Sequence, residues 1–289
     1  MSTQPILGII GGSGLYEFTA LKDVETIEFD TPFGKPSSPV VIGTLSGKKI
    51  AFIARHGIGH FLSPSEVNYR ANIYAFKQLG IQRVVGISAC GSLREDYAPG
   101  HIVVPDQLVD FTRGRERTFF TDGLVVHVGV ADPFCPELSR LQSAAIAEAG
   151  GTVHMGGSLI TIEGPRFSTK GESNMYRSWG ISMIGMTACP EAFLAREAEL
   201  CYSIMAHVTD YDVWHVAEEA VSVEMVMRTL AHNTQIAQLA IQKLVEKLPD
   251  ETTCDCTTAL ANAVITRPEC VPPETLERVR LLVGKYLEP

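Results

Sequence analysis

Short apolar runs alternate with segments of helical spacing along most of the chain. The run from Leu7 to Ile10 leads into glycines, and the run from Lys49 to Ala54 ends at Arg55-His56. Arg83 to Ser88 runs into Ala89-Cys90-Gly91-Ser92, and further runs cover His101 to Val104, Ser158 to Ile162, Ile181 to Met186 and Tyr202 to Val208. Each has the length of a buried strand. Ala71 to Leu79 and Leu138 to Ala149 carry helical spacing, and Glu218 to Leu248 forms a long amphipathic segment that Pro249 stops. This alternation predicts an α/β fold: a single domain with a central mixed β-sheet flanked by helices. Beyond Pro249 the pattern changes. Asp250 to Pro273 reads as an irregular connector and Pro273 to Leu287 as a short terminal helix, so the chain divides into residues 1–249 and a C-terminal extension, 250–289.

Composition narrows the partners. The formal net charge of -9 disfavours nucleic acid and anionic membrane. No apolar run approaches the roughly 20 residues of a membrane span, and Met1 to Pro5 shows no leader pattern, so a cytoplasmic location is expected. The 7 cysteines are scattered and odd in number, which does not suggest a secreted disulfide framework. Cys254-Asp-Cys256 is one residue too tight for the CxxC spacing. No second pair of ligands stands out for zinc, so free thiols are expected, or disulfides in a heat-adapted organism.

The strand ends carry the candidate chemistry. Residues just past the carboxyl ends of strands line the ligand crevice of an α/β sheet. Asp210 and Asp212 follow the last apolar run, and two carboxylates there either meet a ligand's donors or cap the next helix. Gly8-Ile-Ile-Gly-Gly-Ser-Gly-Leu15 fits neither the dinucleotide fingerprint nor the nucleotide-hydrolase phosphate loop. Its glycines nevertheless let backbone N–H groups approach an anion, and Ser13 adds a hydroxyl. Arg55 can hold phosphate through a planar fork. Ser13, Arg55, His56, Ser88 and Thr187, if their strand ends converge, form a cradle for a free oxyanion. Phe167 either stacks on a flat ring or packs in the core. His207, inside an apolar strand, reads as a satisfied core histidine. The remaining histidines do not fall at metal spacing, and no nucleophile elbow is present.

Taken together, the motifs resemble the trimeric branch of the purine nucleoside phosphorylase family, and most closely its methylthioadenosine-cleaving members. The resemblance spans about Ile6 to Leu248. It rests on Gly11-Gly-Ser-Gly-Leu15, Ala54-Arg-His-Gly57, Val67-Asn-Tyr-Arg-Ala-Asn72, Ala89-Cys-Gly-Ser-Leu-Arg94, Ile162-Glu-Gly-Pro-Arg-Phe-Ser168, Gly185-Met-Thr187 and Thr209-Asp-Tyr-Asp212.

The resemblance implies a phosphate site of Ser13, Arg55, His56, Ser88, the Ala89 backbone and Thr187. It implies a ribose contact at Met186 and a base pocket of Phe167, Ser168, Asp210 and Asp212. Val223 and Met227 would floor the methylthio pocket, and His127 would reach a neighbouring subunit's ligand in a homotrimer or homohexamer. The expected reaction is phosphorolysis of 5′-methylthioadenosine, with Asp210 and Asp212 catalytic, Asp210 as general acid and Asp212 supporting it. Phosphate is a co-substrate, and no metal or cofactor is expected. The alternative is a phosphorylase of broader or 6-oxopurine specificity. Gly185 stands where some adenine-specific members carry Asn, which leaves a contact near the ribose open. The Cys-x-Cys tail resembles archaeal-type members that form disulfides, and Cys135 and Cys201 match a disulfide pair there.

Overall fold

The computed structural model describes residues 4–11, 18, 20–215 and 222–287. Its frame is an 11-stranded mixed sheet. The parallel centre consists of β1 (Leu7–Gly11), β4 (Lys48–Ala54), β5 (Arg83–Ser92) and β11 (Cys201–Asp210). On the β4 side, β2 (Lys22–Ile27) and β3 (Val40–Leu45) add an antiparallel ribbon. β6 (Ile102–Val104) and β8 (Val153–Met155) extend from β11. β10 (Met183–Gly185), β9 (Ser158–Ile162) and β7 (Gln107–Phe111) extend from the far end of β5.

β5 changes partners along its length, and this shapes the site. Among the described residues, β1 pairs with β5 only through Gly86. β10 joins β5, antiparallel, at Gly91 and Ser92. Between these points Ile87 to Cys90 has no strand neighbour on that side among the described residues, while β11 continues unbroken on the other. A split between diverging strands is the place where α/β sheets open a crevice.

Helices cover both faces, so every residue of β1 and β11 is buried and the strands read as unbroken apolar runs. One face packs Ile10, Val84 and Ile204 against α1 (Tyr69–Gln78), α4 (Ala188–Glu197) and α6 (Pro273–Leu287), through Ile73, Phe76, Leu194, Val279 and Leu282. The other packs Ile9, Val85 and Met205 against α2 (Pro136–Glu148) and α5 (Val223–Lys247), through Leu138, Ile146, Ile241 and Leu244. The C-terminal stretch is therefore part of the same core: Leu260, Val279 and Val283 are each 0% exposed. α6 lies at the position expected from the sequence. The connector holds two short 3-10 turns, Asp255–Thr258 and Pro268–Cys270. No helix among the described residues is long and apolar enough to cross a membrane.

The apolar runs locate the central strands, with two extensions. β5 runs on to Ser92 and β11 to Asp210, so Ser88 and Asp210 lie within strands rather than past their ends. The long amphipathic segment is helical from Val223, and positions 218–221 lie outside the described residues. Four strands and two helices carry no clear signal. β2 is exposed along nearly its whole length and so lacks an apolar face. α4 carries Pro190 and an extended Cys189 inside its first turn. α3 (Lys170–Ser178) starts from a capping box formed by Thr169 and Glu172. His207 departs from expectation: it is 1% exposed, but neither ring nitrogen has a hydrogen-bond partner among the described residues, so it is buried and unsatisfied there. Burial lowers its pKa to about 4 and keeps it neutral.

Candidate active site

A cavity of about 300 Å³ opens at the split beside β5, at the lower end of the range for small-molecule sites. Arg55, His56, Ser88, Ala89 and Thr187 line it, together with Phe167, Ser168, Asp210 and Asp212. Met186, Val223, Val226 and Met227 also line it. The fold thus brings together residues from six separate stretches of sequence. Ser13 lies outside the described residues. His127 is elsewhere. It is exposed, and its backbone N–H donates to Ala263 O at 2.8 Å.

Arg55 follows β4 and sits under this cavity, 1% exposed. Its Nε and Nη2 donate to the two Glu191 carboxylate oxygens at 2.8 and 2.9 Å. Nη1 donates to Ile87 O at 2.8 Å and Nη2 to Ile10 O at 3.0 Å. Four of five N–H groups are thereby engaged. The planar fork expected to grip phosphate is closed on Glu191, which leaves one Nη1 hydrogen and the positive charge for an anion. Burial works against that charge, but Glu191 overrides it and the guanidinium pKa is raised. Tyr202 Oη also donates to Glu191 at 2.7 Å. This contact needs a glycine in β5: a Cβ on Gly86 would lie 2.3 Å from Tyr202 Oη and 3.0 Å from Glu191 Oε1.

Beside this ion pair are hydroxyls with few obligations. Ser88 Oγ and Thr187 Oγ1 are 3.0 Å apart. Thr187 precedes α4, but the extended Cys189 separates it from the regular turns of that helix, and among the described residues its side chain makes no capping bond. Nδ1–H of His56 donates to Leu62 O at 2.9 Å, which leaves Nε2 as the acceptor. Burial, then the Arg55 charge, lowers the His56 pKa to about 4, so the ring is neutral near pH 7. His60 stacks on it at 4.3 Å.

A bulge between Val208 and Asp210 turns β11 so that Asp210 faces Gly91. A Cβ on Gly91 would lie 2.9 Å from Asp210 Oδ1, so only glycine permits this approach. Asp210 is 5% exposed. It accepts from Thr209 Oγ1 and from the Asp212 backbone N–H, both at 2.7 Å. Burial outweighs these two bonds, and the carboxyl pKa rises to about 6. Asp212 sits in the left-handed region, with φ of 51°, which Asp tolerates better than most residues. Burial raises its pKa too, against the hydroxyls of Ser173 and Ser168 beside it. Even so, Asp212 Oδ2, Ser168 Oγ and Ser173 Oγ make no hydrogen bond of good geometry among the described residues. Such atoms are costly unless a ligand or water completes them.

Phe167 is 37% exposed and lines the cavity, which decides between the two readings of this residue: it is a wall, not core. Sequence reasoning missed Arg115. Its guanidinium donates to Met186 O, Cys189 O, Ile162 O and Glu163 O, at 2.7, 2.6, 3.4 and 2.7 Å. It ties together the loops that carry Met186, Thr187 and Phe167. Its local sequence, Arg113-Gly-Arg-Glu-Arg117, reads as a solvated charge run and gives no hint of this burial. Nothing in the sequence marks Glu191 as the partner of Arg55.

Two outcomes follow from this geometry. Glu191→Gln should lower unfolding stability in urea by about 3–5 kcal/mol, because it strands a buried charge. A change below 1 kcal/mol, roughly the value of a surface pair, would contradict the burial of this pair. Asp210 has a folded pKa near 6 against an ordinary value of 3.8. Its protonated form is therefore favoured by folding, and that contribution fades as pH rises from about 4 through 6. Asp210→Asn should therefore be more stable than the parent above pH 6, on the order of 2 kcal/mol, with the gain vanishing near pH 4. Equal stability of the two at pH 8 would contradict a raised pKa.

The chain is similar to known proteins over nearly its whole length. Residues 6–246 match the phosphorylase superfamily. The chain is 50% identical over 283 residues to the S-methyl-5′-thioadenosine phosphorylase of Koribacter versatilis, covering 98% of this chain and 97% of that one. Among solved structures it is similar to a methylthioadenosine phosphorylase from an Antarctic soil metagenomic library, with a TM-score of 0.92 and 44% identity over 97% of this chain and 99% of the other. It is also similar to a variant adenosine/methylthioadenosine phosphorylase of Schistosoma mansoni, solved with methylthioadenosine. There the TM-score is 0.83 and the identity 36%, over 89% of this chain and 96% of that one. With its mixed sheet and its cavity at the split of β5, this chain belongs to the phosphorylase superfamily.

Proposed function

We propose that the chain cleaves 5′-methylthioadenosine with phosphate, giving adenine and 5-methylthioribose-1-phosphate. The observation that carries this reading is Asp210, a buried carboxyl with pKa near 6 in the same cavity as an anion-suited cluster. Protonated, Asp210 offers one O–H and one acceptor oxygen. The O–H donates to adenine N7, and the other oxygen accepts from the exocyclic N6 amino group. A 6-oxopurine would set its carbonyl oxygen against that acceptor, at a cost of about 1–3 kcal/mol for the unmatched pair.

Phosphate is held in the same cavity. The Ser88 and Thr187 hydroxyls and the Ala89 backbone N–H donate to its oxygens, and Arg55 supplies positive potential. Neutral His56 accepts from a P–OH group through Nε2, so it suits hydrogen phosphate. As the C1′–N9 bond lengthens, positive charge grows at C1′. The phosphate oxygen then bonds C1′ while N7 takes the Asp210 proton, and adenine leaves neutral. Asp212 gives its backbone N–H to Asp210 and so positions it. Phe167 flanks the base, Met186 the ribose, and Val223 and Met227 the methylthio group. Phosphate is the co-substrate, and these steps call for no metal or redox group.

Assembly as a trimer, or a multiple of it, is part of the proposal. Val223 and Met227 line the cavity yet are 68% and 45% exposed in the isolated chain. His127 is exposed and away from its own cavity. A neighbouring subunit would cover the first two and receive the third.

Adenine release from methylthioadenosine should require added phosphate and should exceed release of hypoxanthine from inosine by roughly ten- to a hundredfold in kcat/KM. Asp210→Asn should cut the adenine rate and narrow or reverse that ratio. Base release without phosphate, or an unchanged ratio in the variant, would contradict the scheme. Light scattering on the eluting enzyme should give a trimeric or hexameric mass, and a fully active monomer would remove the shared site.

A further inference from the structure

The second cluster of reactive side chains lies outside the catalytic cavity. Cys135, Cys201, Cys254 and Cys256 place their four Sγ atoms within 4.8 Å of one another. All four are free thiols in the structure, three buried and Cys254 half-buried. They arrive from three distant stretches. Cys135 is the N-cap of α2, and Cys201 opens β11. Cys254 and Cys256 flank the start of the first turn after α5. The backbone is set firmly around them: Cys135 N–H donates to Tyr202 O at 2.7 Å and Cys201 N–H to Gln82 O at 2.8 Å. The Cys254-x-Cys256 spacing, too tight to form a zinc site with sequence neighbours, needs to supply only two ligands here. The fold brings the other two.

We propose that these four cysteines form a closed structural site for zinc. Four soft thiolates and no open position are the donor set of a structural zinc ion, not of a catalytic one. With a zinc–sulfur distance of about 2.3 Å, a tetrahedron has sulfur–sulfur edges of about 3.8 Å, which falls within the observed spread. Cys201 and Cys254 Sγ are 3.2 Å apart and would separate slightly on binding.

The surroundings suit the double negative charge of such a site. The Leu138 N–H donates to Cys135 Sγ at 3.5 Å, at the positive end of α2. Arg196 Nη1 donates to Cys256 Sγ, also at 3.5 Å. Binding would release four thiol protons as one zinc ion is taken up, so occupancy weakens in acid. The ion would pin the connector after α5 to α2 and β11. It would thereby hold in place the stretch that leads to Leu260 and α6.

The intact chain, purified under reducing conditions without chelator, is analysed for metal and thiols together. About one zinc ion per chain is expected, released as the four thiols are titrated with a mercurial reagent. Cobalt(II) in its place should give the intense visible bands of tetrahedral thiolate ligation. Cys256→Ser should abolish zinc uptake and lower the Tm, while KM for methylthioadenosine, measured below the new Tm, stays unchanged. If that variant fails to fold, chelator treatment and zinc readdition on the parent chain give the same readout through Tm. Absence of zinc and of a cobalt spectrum after reconstitution of the reduced chain would overturn the proposal. So would alkylation trapping that finds these cysteines paired as disulfides in the freshly isolated, unreduced chain.

Discussion

The buried pair of Arg55 and Glu191 is the constraint on which the rest of the site depends. Arg55 donates to carbonyls of β1 and β5, and Glu191 brings α4 to the same point and accepts from Tyr202 of β11. One interaction thus fixes three strands and one helix where β5 loses its neighbour. A pair of buried charges is a poor source of net stability, but it is intolerant of displacement, because either member alone is strongly disfavoured. The gap beside β5 stays open for that reason. It is filled from below by a satisfied ion pair and not by an apolar side chain, and positive charge remains next to the cavity.

Above this floor the wall is built in the opposite way. Asp210 is desolvated beyond what its two hydrogen bonds offset, and Asp212 Oδ2 and the Ser168 hydroxyl are left without good partners among the described residues. Ser88 and Thr187 bond chiefly to each other. These groups cost stability until a ligand or water completes them, which is how a site turns folding energy into recognition. Gly86 and Gly91 serve the two halves in parallel: the first admits Tyr202 and Glu191, the second admits Asp210.

Much of this was legible in the chain. Strands buried on both faces leave unbroken apolar runs, and those runs placed β1, β4, β5, β9 and β11 to within a few residues. The motif residues Arg55, His56, Ser88, Phe167, Thr187 and Asp210 all reach one cavity. What was not legible depends on contacts between distant segments. Nothing in the sequence near Arg55 says that Glu191 will occupy its fork. Arg115 sits in a charge run whose composition promises solvent. α4 hides behind a proline and an extended cysteine, and β2 behind its exposure. His207 was read as satisfied because most buried histidines are, and here burial alone has won. The four clustered cysteines show the same limit, since a Cys-x-Cys pair acquires meaning only when the sheet delivers Cys135 and Cys201 beside it.

The central claim is that burial keeps the Asp210 carboxyl protonated enough to serve adenine. The direct measurement is a pH titration of that carboxyl by NMR, with the aspartate side chains carbon-labelled and the Asp210 signal assigned by comparison with Asp210→Asn. The pKa is expected near 6 in the free enzyme and higher with adenine bound. Titration near the ordinary aspartate value of about 4, unmoved by adenine, would contradict the account.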